Sequence, residues 1–385
     1  MEEQNKKNTS SIKWTVIVIL ILLIIWGVTG SKKSVNTGSV RIGGAFLLTG
    51  PAALVGEVQK NAVTMAIDDV NKQGGINGRP LELVMEDAGY DPKTAVNAYQ
   101  ALKQKGLHLF LIDGSPVVAA THNLVIADGN FTIAGGATVP SYFDGSDRTC
   151  RIALTSRNLA PGMVELMLKH NYKRAATLLP DNEYGRGLSD EFNKAFTAKG
   201  GTVVASEFYG VAAGTADYRT NITKIKAHQG NIDAIVFSNP LNTLEPMLNQ
   251  LKELGVTKPI ISDEPTLDNP ALKNLSLIEG DEFVNYEYSR TDSPTDSAAA
   301  KAFKDEYRSR YNTDPIYFGA AAYDSVMLIT KAIKAVGEDP QKIGDYISSL
   351  QNYAGITGTF SFNSDCEVSR NSVFSTVKGG KIISE

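Results

Sequence analysis

Apolar and polar positions along this chain fall into two alternating rhythms. Glu57 to Lys72 places Val58, Ala62, Met65, Ala66 and Val70 on one helical face and stops at Gly74-Gly75, which predicts an amphipathic helix with a glycine stop. Leu81 to Met85 reads as a strand. Asp91 caps a helix that begins at Pro92 and ends before Gly106, and Leu107 to Ile112 is a continuous apolar strand of the kind buried on both faces of a parallel sheet. The pattern recurs through Phe131 to Ala134, Ala175 to Leu179, Val203 to Phe208, Ile232 to Phe237 and Pro259 to Ser262, each with a helical stretch beside it. Such alternation predicts an α/β protein with doubly wound sheets covered by helices on both faces, and one sheet would have to hold too many strands. Thr291 to Ser297 leads as a capping approach into a helix over Ala298 to Tyr311.

The N-terminus follows neither rhythm. Met1 to Lys13 carries three lysines, and Trp14 to Trp26 is apolar apart from Thr15, followed by Gly27 to Ser31. An apolar run of about 13 to 15 residues is long for a signal-peptide core and short of the roughly 20 that span a bilayer, so residues 1–30 read as an export signal, cleaved or retained as a membrane anchor. Val28-x-Gly30 offers a small-residue cleavage site, no cysteine follows the run, and lysines on both flanks leave orientation weakly set. Ser31 to Ser39 is a short polar linker, and the fold starts near Val40.

Composition narrows the function more than the fold. The chain of 385 residues, 42% hydrophobic and 21% charged, has material for two cores of roughly 100–200 residues each. A net charge of −4 and no Lys/Arg block beyond Lys32-Lys33 give no footprint for nucleic acid. The histidines (His108, His122, His170, His228) are scattered without metal-ligand spacing, and there is no G-x-S-x-G elbow, Walker loop or G-x-G-x-x-G after the first strand. Gly43-Gly44 lies inside that strand, where glycine serves close packing. No enzyme, metal or cofactor is expected.

Three pieces in order point to binding. They are LTGP at Leu48 to Pro51, NKQGGINGRPLEL at Asn71 to Leu83, and Asp91-Pro92 before a helix. With the polar loop after the first strand, this unit from Arg41 to Tyr90 resembles the first βαβ unit of the leucine/isoleucine/valine-binding family of type I periplasmic binding proteins. The resemblance runs from about Val40 to Glu385 and implies two doubly wound parallel-sheet lobes joined by three hinge crossings, near Arg148 to Ala153, Val284 to Tyr288 and Gly355 to Thr359. On that topology lobe 1 takes residues 40–149 and 286–355, lobe 2 takes 150–285, and 356–385 form the hinge return and the end of lobe 2. Cys150 and Cys366, the only cysteines, then fall near crossings, where they either form one disulfide or stay as buried thiols.

The resemblance also carries candidate ligand contacts. In the loop Gly135 to Pro140, Gly136, Ala137 and Thr138 match an Ala-Thr-x-Pro loop whose carbonyl and threonine hold a ligand's ammonium and carboxylate; the plain alternative is a turn held by Pro140. In Asp113 to Ala120 the family's serine pair aligns with Val117-Val118, so Ser115 or helix-end N–H groups near Ala119 would have to substitute, which departs from a plain α-amino acid site. Tyr184, before Gly185, matches an aromatic lid, and Glu264 matches an acidic ligand to the ammonium. Asn239 follows the Ile232 to Phe237 strand, where relatives often place a tyrosine and this chain continues with Pro240. Val55 replaces a frequent aromatic, which predicts an aliphatic first-lobe wall. Implied is an extracytoplasmic protein that takes up an amino acid or analogue in an inter-lobe cleft and delivers it to an ABC-type permease. The alternative is a membrane-tethered sensor, held by its N-terminal segment, that uses the same closure.

Overall fold

The computed structural model describes residues 38–139, 148–212, 216–288, 290–293, 296–370 and 372–384. The expected export segment, most of the linker and Pro140 lie outside them.

The fold begins with β1 (Val40–Phe46), α1 (Ala53–Lys72), β2 (Leu81–Asp87), α2 (Pro92–Gln104), β3 (Leu109–Ile112), α3 (Ser115–Ala127), β4 (Phe131–Ala134) and β5 (Thr149–Arg151). These strands form a parallel sheet in the order β2-β1-β3-β4-β5. Local chemistry sets the boundaries: the Asp91 carboxylate accepts from the N–H groups of Lys93 and Thr94 at the head of α2, with Pro92 in its first turn. β3 is buried at all four positions, as its unbroken apolar run requires.

The chain then builds a second sheet from α4 (Ser156–Lys169), β6 (Arg174–Pro180), α5 (Glu183–Ala198), β7 (Thr202–Tyr209), α6 (Arg219–Ala227), β8 (Ala234–Phe237), α7 (Leu244–Glu253), β9 (Ile260–Asp263), α8 (Glu264–Leu267) and β10 (Glu282–Asn285). Next come α9 (Ala298–Tyr311), α10 (Tyr317–Val336) and α11 (Pro340–Ser348). They return to the first sheet, where α10 packs along α1 and α11 against β4 and β5. A small antiparallel sheet of β11 (Tyr353–Gly355), β12 (Gly358–Phe362) and β13 (Val368–Ser369) follows, before β14 (Val373–Lys378) and β15 (Lys381–Ser384) join the second sheet.

The second sheet has the order β15-β14-β10-β9-β8-β6-β7. Its core from β6 to β10 is parallel as expected, while β14 and β15 add an antiparallel edge. The edge exists because Gly379 and Gly380 both take positive φ, at 59° and 68°, and close a two-residue hairpin that matches the twist of its strands.

Cys150 on β5 is bonded to Cys366, with Cα atoms 4.7 Å apart. Beside this bridge the Arg151 N–H donates to the Cys366 carbonyl at 3.0 Å, and the fully buried Arg151 guanidinium pairs with Glu367. The start of the chain's return toward the second sheet is thus clamped to the edge of the first.

Candidate functional site

The parallel strands of both sheets end toward a cavity of about 450 Å³, counting its open mouth. The first sheet and its helices line it with Leu47 after β1, Ala52, Val55 and Gln59 at the head of α1, Tyr90 after β2, Asp113, Gly114 and Ser115 after β3, Gly136 and Thr138 after β4, and Phe318 from α10. The second contributes Tyr184 after β6, Pro240 after β8 and Pro265 after β9. Crevices beyond the carboxyl ends of strands are where open α/β sheets hold small molecules.

Each wall is built around a buried aspartate at a strand end. Asp113 Oδ1 accepts from the backbone N–H groups of Gly114 and Gly136, both at 2.7 Å, and its Oδ2 accepts from Gln59 Nε2. This one carboxylate therefore joins two loops and helix α1. Burial pushes its pKa up to about 6 in spite of those donors. Opposite, the Asp263 carboxylate accepts from Tyr184 Oη, from Ser238 Oγ at 2.7 Å and from Thr266 Oγ1 at 3.2 Å. Burial again pushes the pKa up to about 6.

Both helices that follow the first strand of a sheet approach that strand's exit too closely for a side chain. A Cβ at Gly56 would lie 2.1 Å from the Leu47 carbonyl oxygen, and one at Gly185 would lie 2.0 Å from that of Pro180. The walls also touch each other: Asn182 Nδ2 donates to Tyr90 Oη at 3.0 Å, and the Asn242 N–H donates to the Pro51 carbonyl at 2.7 Å.

The structure brings Ser115, Gly136, Thr138 and Tyr184 to the cavity surface. Ser115 Oγ accepts the Thr138 N–H at 3.1 Å, and the buried Thr138 Oγ1 has no hydrogen-bond partner. Tyr184 is buried and pinned through its hydroxyl, so it is a fixed wall rather than a loose cover.

Three further candidates lie off the cavity surface. Ala137 is buried and its carbonyl accepts from Arg151 at 3.3 Å. Asn239 spends its amide inside the second-sheet core, accepting the Leu241 N–H at 2.9 Å and donating to the Met247 sulfur at 3.2 Å. Glu264 directly precedes the wall residue Pro265, is buried, and has no partner for either carboxylate oxygen. Burial, then the carboxylates of Asp268 and Asp263, holds the Glu264 pKa well above the usual range.

Sequence reasoning passed over Gln59, Tyr90, Asp113 and Phe318. Two of these had a local signal, since Gln59 is a polar residue one step from Val58 on the buried face of α1 and Asp113 directly follows the apolar strand β3. Phe318 had none, because it arrives from the far end of the chain.

A model of the periplasmic binding protein family matches residues 39–381. The chain belongs to that family. Among its relatives is the leucine-, isoleucine-, valine-, threonine-, and alanine-binding protein of Pseudomonas aeruginosa, 25% identical over 339 residues, which are 86% of this chain and 88% of the relative. Another is Leu/Ile/Val-binding protein homolog 1 of Brucella abortus, 26% identical over 339 residues, with 84% and 86% covered. The solved structure of the branched-chain amino acid transporter substrate binding protein LivJ from Streptococcus pneumoniae, in complex with isoleucine, is 26% identical with a TM-score of 0.77, covering 90% of this chain and 99% of LivJ. An ABC transporter solute binding protein from R. palustris, in complex with benzoate, shares the fold at 19% identity and a TM-score of 0.78, with 90% and 95% covered. The same fold thus surrounds different ligands in different solved structures.

Proposed function

We propose that this periplasmic binding protein captures an amino acid or amino-acid-like compound outside the cytoplasm and delivers it to an ABC-type permease. The observation that carries this reading is the strand-end cavity, whose apolar walls hold unpartnered polar atoms on Gln59 and Thr138. Buried polar atoms are costly unless paired, so atoms left over in such a place are suited to a ligand. Leu47, Val55 and Phe318 offer the surface that an aliphatic side chain would cover.

In this reading the two lobes, 40–149 with 286–355 and 150–285 with 356–385, move about their connections. Ligand bound to one wall is sealed when the other arrives, and the contacts Tyr90–Asn182 and Pro51–Asn242 hold the closed form that the permease recognises. The N-terminal segment supplies export.

Thermal unfolding of the purified chain with a panel of branched-chain amino acids, their amides and amines, and aromatic acids tests it. A cognate ligand at about 100 times its dissociation constant should add about 2.7 kcal/mol of stability. A panel that leaves the transition unmoved throughout would defeat the reading.

A further inference from the structure

We propose that the ligand is a small aliphatic amine whose acid group is absent or masked as an amide, not a free zwitterionic amino acid. The inference rests on the solute-binding reading and names the ligand class for the same cavity. Its basis is the supply of hydrogen-bond donors and acceptors around the site.

Several of the donors that a ligand carboxylate would need are already engaged by the protein. The N–H groups of Gly114 and Gly136 and the Gln59 amide all donate to Asp113. The Thr138 N–H donates to Ser115 Oγ. At the head of α3, the N–H groups of Val117 and Val118 both bond the Gly114 carbonyl, at 3.0 and 2.9 Å, and Pro116 has no N–H. Among the described residues no lysine, arginine or histidine lines the cavity, while the Asp113 carboxylate does. A desolvated carboxylate there would face a like charge with only hydroxyls to satisfy it.

The acceptors stand the other way. Gln59 Oε1 and Thr138 Oγ1 are unpartnered, and both residues are about 99% buried and line the cavity. Glu264, beside the wall residue Pro265, keeps both oxygens unpartnered in the second wall. A protonated amine donates to acceptors of this kind, and its positive charge works against the burial that raises the Glu264 pKa, so Glu264 gives up its proton and supplies the countercharge as the ligand binds. Leu47, Val55, Pro240 and Phe318 suit a branched aliphatic chain.

Calorimetric titration of the purified chain with L-leucine, L-leucinamide and 3-methylbutylamine reads the proposal directly. Either carboxylate-free compound should bind at least tenfold more tightly than leucine. Leucine binding as tightly as both, or more tightly, overturns the inference and leaves the solute-binding reading standing, whereas no binding by any of the three overturns the inference, with the broader panel deciding the reading. For the countercharge, Glu264→Gln should shrink the preference for 3-methylbutylamine over uncharged 3-methylbutan-1-ol at least fivefold. An unchanged preference in the folded variant removes Glu264 from the proposal.

Discussion

The two walls of the cavity solve one problem with different materials. Asp113 and Asp263 both sit at the carboxyl end of a strand, both are buried, and both have a pKa raised to about 6 by burial. Yet Asp113 gathers mainly backbone N–H groups and so shapes two loops, whereas Asp263 gathers the hydroxyls of Tyr184, Ser238 and Thr266 and so fixes side chains. The first wall is therefore built on moulded loop backbone, and its face is not purely aliphatic as expected, since Tyr90 and Phe318 join Leu47 and Val55 there. The second is a locked aromatic wall with an unpartnered acid, Glu264, beside it. A strand-end aspartate, then, has no fixed job; its partners decide whether it organises main chain or side chains.

The largest effect should come from outside both walls. Reducing the Cys150–Cys366 bond releases a closure spanning 216 residues and should cost about 5 kcal/mol in the chain-entropy account. Denaturant midpoints with and without reductant measure this, and ligand affinity of the still-folded protein should change much less. Next, Asp263→Ala removes the acceptor that three buried hydroxyls share and should lose about 2–4 kcal/mol of stability. Asp113→Ala should lose a similar amount but also loosen the Gly114 and Gly136 loops, visible as faster amide exchange there and not around Tyr184.

Thr138→Val separates binding from folding, because Thr138 Oγ1 has no partner in the protein. Calorimetry should show a ten- to hundredfold weaker cognate ligand, roughly 1.5–3 kcal/mol, with an unfolding midpoint close to that of the parent. The smallest effect is on pH dependence. Asp113 and Asp263 hold their protons more tightly when folded than at the ordinary value of 3.8, so the folded state carries more protons between about pH 4 and 6 and loses stability as pH rises through that window. Each should contribute roughly 1–3 kcal/mol, seen as a flatter stability profile from pH 4 to 6.5 in Asp113→Asn or Asp263→Asn.

Periodicity placed the parallel strands well, because a buried strand must be apolar throughout: Phe131 to Ala134 is β4 to the residue, and Ile232 to Phe237 contains β8. It did not foresee β14, β15 or the small sheet, whose short strands pair antiparallel through turn geometry and carry little pattern of their own. The cavity lining was legible where residues adjacent in sequence share one loop, as with Gly136 and Thr138. It was not legible where a contact joins distant segments. Asn239 looks like a ligand contact in its loop until the neighbouring Met247 and Leu241 absorb its amide.

What the amino-acid order determined by itself was the alternation of strands and helices and the loops that end at the cavity, since both follow from local burial patterns and caps. Only the tertiary structure decided the chemistry of the cavity. Whether the Thr138 N–H is open to a ligand depends on Ser115 reaching it from another loop, and whether Gln59 presents its oxygen depends on Asp113 holding its nitrogen. Hydrogen bonds saturate, so an atom's availability is set by the neighbours that folding brings to it.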